Sequence, residues 1–217
     1  MTGKLLKKEF ALCLHPTTPI MVLLAALTLT PNYPYTIVFF FLSLGVFFIC
    51  LTGRETNDVT FSLTLPVSRR DIVTARFLLV ICMEAAQLLL LALCVWLHGK
   101  LDLGPNAAGT DANLTLLGEG LVFYAVFHLV FFPSYYGNVQ KVGVSFVKSS
   151  AVLFLLTIAD IVFSYALPLS RDVLDTPDPA HLSAKLVFIL CGAAIYPVCT
   201  WIAWRVSVRR FEKLDIR

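Results

Sequence analysis

Charge is scarce in this sequence. Asp, Glu, Lys and Arg make up 14% of its 217 residues, against roughly a quarter in an average globular protein. Apolar residues fill the deficit: 58% of the chain is hydrophobic and the mean hydropathy is +0.82. A soluble domain is excluded. Short alternating segments are also missing, which excludes a membrane barrel. The remaining class is all-α, a polytopic helical membrane protein forming a single transmembrane domain over 1–217.

Other absences narrow the chemistry. There is no Gly-x-x-x-x-Gly-Lys-Ser/Thr phosphate loop, no His-Glu-x-x-His and no Gly-x-Ser-x-Gly, so no catalytic residues are expected and no familiar route to nucleotide hydrolysis exists within the chain. Cys13, Cys50, Cys82, Cys94, Cys191 and Cys199 form no Cys-x-x-Cys and have no His cluster beside them. They read as small apolar residues, with neither metal nor disulfide expected. No small-residue cleavage site follows Lys4, Lys7 and Lys8, so the start does not read as a cleavable signal. No internal repeat relates the first three spans to the last three, whereas many carriers show one.

What is present falls into apolar runs near the ~20 residues that cross hydrocarbon as a helix. Residues 1–17 suit an interfacial amphipathic helix, with Leu6, Phe10, Cys13 and Leu14 opposite the lysines; a cytosolic extension of the first span is the other reading. Spans are predicted at about 18–30, 35–51, 69–97, 116–135, 149–168 and 185–204. Thr18 before Pro19 suits a helix start, and Pro133 to Gly137 suits an aromatic belt at the end of the fourth span. The third span, at 1.5 Å per residue, would be about 43 Å long, so its first turns should leave the hydrocarbon. Basic residues set the orientation. With both termini inside, the inner face receives Lys4, Lys7, Lys8, Arg54, Arg69, Arg70, Arg76, Lys141, Lys148 and the five of the tail 205–217, and the outer face only Lys100, Arg171 and Lys185.

The segment 52–71 is then a cytoplasmic loop with dense local signals. Thr52-x-x-Glu55 and Ser68-x-x-Asp71 both match a capping box, and Pro66 turns Leu65 away from helix. One short helix would begin near Gly53 and stop before Pro66, although Val59, Phe61, Leu63 and Leu65 also alternate as an extended stretch would. Apolar residues between charges make a docking surface. At membrane depth, Glu84 and Gln87 lie a turn apart, His128 stands in the fourth span and Asp160 with Ser164 in the fifth. An ionised carboxylate there is disfavoured by on the order of 3 kcal/mol, so these groups face the bundle. They either line a translocation path or its gate, or serve as interhelical hydrogen bonds.

Leu65-Pro66-Val67-Ser68-Arg69-Arg70-Asp71-Ile72-Val73-x-Ala75-Arg76-Phe77 resembles the Leu-Pro-Val-Ser-Arg-Lys-Glu-Ile-Val-x-Ala-Lys-Tyr signature of type-2 ABC-transporter permeases. Gly53-Arg54-Glu55-x-Asn57-Asp58, the opening Lys4-Leu5-Leu6-Lys7-Lys8-Glu9 and the closing Arg209-Arg210-Phe211-Glu212-Lys213-Leu214-Asp215 are similar to a small bacterial subgroup of six-span exporters. The resemblance implies a permease in a bacterial plasma membrane, paired with a second permease chain, identical or homologous, and with two cytoplasmic ATPase subunits. These would bind ATP and Mg; this chain needs no cofactor, and no nucleic acid is implied. It also implies that Arg54, Glu55 and Asp58 belong to the coupling loop and Leu65, Pro66, Ser68, Arg69, Arg70 and Asp71 to the hinge into the third span; Phe61, Leu63 and Leu65 are the apolar docking residues read from the loop itself. A large extracellular domain and an obvious re-entrant pair near the fifth span, present in larger relatives, are missing. The expected cargo is an amphipathic peptide or drug-like amphiphile. The alternatives are a proton-coupled carrier or small channel using Glu84 and Asp160, and a non-transporting immunity or sensor protein.

Overall fold

Ser68 opens the longest helix of the molecule. Its hydroxyl accepts from the Asp71 amide at 3.1 Å while the Asp71 carboxylate accepts from the Ser68 amide at 3.2 Å, so the capping box is formed. From there α5 (Arg69–Leu101) runs 33 residues, about 50 Å. A computed structural model describes residues 2–106 and 108–214, apart from the Thr2 side chain. Asp215 and Arg217, part of the expected basic tail, lie outside the described residues.

In order, α1 (Thr2–Lys8) continues as one wide π-turn to Cys13, and α2 (Thr17–Leu23) tightens to a 3-10 turn over Leu24–Leu29. Then come α3 (Ile37–Glu55), the short α4 (Asp58–Leu63), α5, α6 (Leu114–Tyr135), α7 (Val142–Ala166), a π-turn at Ser170–Leu174 and α8 (Leu182–Glu212). Among the described residues, five helices are long and apolar enough to cross a membrane, or six if the N-terminal pair counts as one span; that pair is bent by 93° between Cys13 and Thr17. The sequence placed loops where helix persists. Lys148 lies inside α7, and α8 runs on through Arg209 and Arg210.

Four local expectations need correction. Thr52 does not cap a helix, because α3 passes through it to Glu55 and the Thr52 carbonyl accepts from the Thr56 amide at 2.9 Å. Asn57, at φ 52°, makes the break instead, a left-handed conformation that Asn tolerates. The alternating stretch is helical: α4 turns Asp58, Val59 and Ser62 inward at helical spacing and leaves Phe61 56% exposed. Thr18 is not a cap either; it is buried with its hydroxyl 3.4 Å from the Gly45 carbonyl, and His15 Nδ1 accepts from the first helical amide, Thr17. Finally, Tyr135 and Tyr136 form no surface belt. Both are buried: Tyr135 stacks on Phe131, and Tyr136 stacks on Phe132 and stands edge-on to Phe211.

The core lies between α3, α5, α6 and α8. Close approach of α6 and α8 depends on small residues: a Cβ on Gly192 would stand 2.9 Å from the Gly118 carbonyl, and one on Gly118 would meet Phe188 at 2.7 Å. The outward faces of α7 and α8 are apolar and exposed, with Phe154 and Leu190 among them, as lipid contact requires.

Candidate coupling site and buried polar network

At the end of the bundle that carries α1 and α4, four charged side chains close on one another. Arg76 projects from the second turn of α5 and is fully enclosed. Its Nε lies 2.5 Å from Glu9 Oε2, and its Nη2 lies 2.8 Å from Asp58 Oδ2. Lys8 reaches the same Asp58 at 2.5 Å and donates to Ser62 Oγ at 2.7 Å. Gly53 of α3 makes room: a Cβ there would stand 3.3 Å from the guanidinium. This knot fastens α1 and α4 to the start of α5. Burial works against the Lys8 ammonium, but Asp58 and Glu9 outweigh it and hold its pKa above the ordinary lysine range. Burial likewise pushes the Asp58 carboxyl up, and Arg76 and Lys8 overcome that and hold it below the usual carboxylate range.

Glu9, Cys13 and Asp58 also stand close enough to hold a metal ion. Both carboxylates already face cations, and burial pushes the Cys13 thiol up to about 12. The cluster is an ion-pair knot.

The expected docking residues divide by exposure. Asp58 turns inward to the knot, whereas Glu55, Phe61, Leu65, Pro66, Ser68 and Arg70 face outward and Arg54, Leu63, Arg69 and Asp71 are half-buried. Arg54 and Glu55 approach only to 3.9 Å at the surface. Arg69 is engaged within the chain: its guanidinium donates to the carbonyls of Phe211 at 2.6 Å and Leu214 at 2.7 Å, at the carbonyl-rich end of α8. Arg70 lies over the Trp204 ring at 4.9 Å, and Trp204 donates to Thr74 at 3.1 Å.

Deeper in the bundle, three of the four expected membrane-depth residues lie close together, though not as the pairs their spacing suggested. Glu84 and His128 are buried, with His128 Nε2 2.9 Å from Glu84 Oε1. Tyr196 of α8 donates to the other Glu84 oxygen at 2.5 Å, and His128 Nδ1 shares a 2.9 Å hydrogen bond with Thr200. Gln87 turns elsewhere. It donates to the carbonyls of Met21 and Val38 at 3.1 Å each and accepts from Tyr124. One polar seam therefore ties α2, α3, α5, α6 and α8. Asp160 lies apart, and Ser164 donates to its backbone carbonyl, not its carboxylate, at 3.0 Å.

Sequence reasoning missed several partners. Glu9 was legible as an acid beside three lysines, and Arg76 as a charge inside an apolar run. Glu119 stands in the 116–135 segment, where the same desolvation argument that singled out Glu84 and Asp160 applied. Tyr124, Tyr196 and Thr200 carry no local signal.

Two comparisons, with curated protein sequences and with solved structures, gave no match. A family model described as ABC-2 family transporter protein matches residues 4–212. That match covers the knot, the polar seam and all the long apolar helices, so this multi-pass membrane chain belongs to the ABC-2 transporter family as a type-2 ABC permease.

Proposed function

We propose that this chain is the membrane half of an ATP-driven exporter, with cytoplasmic ATPase subunits docking on the segment 52–71. Two ATPases and two permeases would make the complete machine, with both termini and α4 inside the cell. The observation that carries this reading is the mounting of α4. A six-residue helix presents Phe61 outward while Asp58, on its inner face, is held by Arg76 of α5 and Lys8 of α1. A push on α4 would be delivered to the capped start of a 33-residue helix and not absorbed by a slack loop. The cargo best suited to a permease with wide apolar surfaces is an amphipathic peptide or drug-like amphiphile. Co-expression with a cognate ATPase, pull-down and ATP-dependent uptake into inverted vesicles test it. Nucleotide-independent accumulation would sink it.

A proton-coupled carrier is the second reading, favoured by the Tyr196–Glu84–His128–Thr200 chain of polar contacts. That chain is closed at both ends by hydroxyls from one helix, which suits a structural tie between α5, α6 and α8 as well as a relay.

A further inference from the structure

At the end of the bundle away from the knot, a cavity of about 280 Å³ lies between α6, α7 and α8. Its origin is local. Leu167 leaves α7 in an extended conformation before Pro168, as a residue preceding proline prefers. The chain then turns back through Ser170–Leu174, so Leu169 and Leu174 close over the space. Phe123, Leu156, Phe163 and Phe188 line the walls; Phe123 at the floor is buried, while Phe163 and Leu167 at the rim are about half exposed.

Two carboxylates interrupt this apolar lining. Glu119 of α6 and Asp160 of α7 lie close enough to interact with each other. Glu119 Oε1 accepts from Thr110 at 3.1 Å, but Glu119 Oε2 and Asp160 Oδ2 are buried without a donor among the described residues. Neither acid has an ion-pair partner among the described residues. The nearby cations are engaged: Lys185 holds Asp178 at 2.8 Å and the Thr176 carbonyl at 2.5 Å, and Arg171 pairs with Asp172 at 2.8 Å. Every buried ion of the knot, by contrast, has its counter-charge. Asp160 also lies in hydrogen-bond reach of Glu119, Thr110 and Thr36, so the two acids hold each other. Two adjacent carboxyls in an apolar wall, with no cation beside them among the described residues, still favour a positive group.

We infer that this cavity is a binding site for a lipophilic organic cation, an alkyl- or arylammonium whose charged head meets Glu119 and Asp160 and whose apolar body lies among Phe123, Phe163 and Leu169. The lining decides the class. A small inorganic cation would lose its water to aromatic and aliphatic walls that offer nothing in return, whereas an ammonium head suits both carboxylate and phenyl faces. A phospholipid would bring a phosphate towards two acids. A folded or helical peptide exceeds the volume. The inference rests on the permease reading for its physiological sense, since such a cation would be cargo.

Its test needs neither nucleotide nor ATPase, so its failure leaves ATP coupling standing, and loss of ATP coupling leaves it standing. Purified permease in nanodiscs of neutral lipid is dialysed to equilibrium against tritiated hexyltrimethylammonium, with empty nanodiscs subtracted. One saturable site per chain is expected. Glu119→Gln together with Asp160→Asn should weaken it at least tenfold, and Leu169→Trp, which fills the cavity and leaves both acids in place, should weaken it several-fold. Lys148→Gln, exposed near the other end of α7, should leave it unchanged. The uncharged isostere 2,2-dimethyloctane and lysophosphatidylcholine should not compete. If the double variant does not fold, each single acid variant and Leu169→Trp carry the same comparison. Absence of saturable binding, equal binding by the acid variants, or equal competition by the isostere or the lysolipid would overturn the assignment.

Discussion

Arg76 of α5 and Asp58 of α4, eighteen residues apart in sequence, meet at 2.8 Å where both are shut off from solvent. Removing one partner of such a pair typically costs about 3–5 kcal/mol, because the other is left charged and buried. Arg76→Met should therefore lower the yield of folded protein and its melting temperature, since it leaves Glu9 and Asp58 sharing Lys8 as their one remaining cation among the described residues. Lys8→Met should be milder, because Arg76 still holds Asp58. Fluorescence-monitored thermal unfolding of the two variants in one detergent checks the order; equal loss would remove Arg76 from the centre of the knot.

Coupling should separate from docking. Losing the Ser68 cap is worth ~1 kcal/mol, enough to fray the first turn of α5. Ser68→Ala should keep the ATPase bound and weaken the dependence of ATP turnover on substrate. Phe61→Asp should release the ATPase, and Leu63→Asp, half-buried in the structure, should do so with some loss of stability. Pull-down beside substrate-stimulated ATPase assays in proteoliposomes reads both; full retention of the ATPase by both Asp variants would remove α4 as the dock.

His128→Ala would leave Glu84 buried with Tyr196 alone, and Thr200 without its ring partner. Transport should fall more than ATPase activity. Glu84→Gln keeps the shape and should be better tolerated. Uptake driven by a pH gradient with no nucleotide present, and abolished by Glu84→Gln, would replace the ABC reading with the carrier.

Asp175 accepts from the Asp111 amide at 2.6 Å, and burial, with Asp111 and Asp160 nearby and Lys185 opposing, raises its carboxyl to about 6. The unfolded value is near 3.9, so between those pH values the folded form holds the extra proton. The packing of residues 108–113 on 174–178 should be firmest below about pH 4 and loosen as pH rises through 6. Hydrogen exchange of the Asp111 amide, corrected for intrinsic rate, should show that loosening in the native protein and a smaller one in Asp175→Asn. An unchanged pH response in that variant would assign it to Asp111, which is also raised.

Orientation is open to direct labelling. In a background without the six native cysteines, Gly104→Cys and Pro177→Cys should react with an impermeant maleimide from outside intact cells. Thr56→Cys should react only after permeabilisation. The reverse pattern would remove the ATPase-facing role of α4.

The helical membrane class, the capped start at Ser68 and the family itself were legible along the chain, because each rests on neighbours within a few residues: hydropathy over a window, a hydroxyl three positions before an acid, a run from Leu65 to Phe77. The helix break at Asn57 was misplaced to Thr52, since a local cap pattern competes poorly with nineteen residues of continuous apolar helix. The inward turn of Asp58 was not legible either. An acid among exposed charges looks like surface until a guanidinium from another helix closes on it. Composition and spacing determined that the acids at 84 and 160 must hide from lipid, and the same argument held for 119, which sequence reasoning missed. Only the packing of α6 against α7 and α8 decided which found partners: Glu84 meets a histidine and a tyrosine, and Glu119 and Asp160 meet each other. The desolvation of a charge is a property of its own position, whereas its compensation depends on residues dozens of positions away that tertiary structure alone brings within 3 Å.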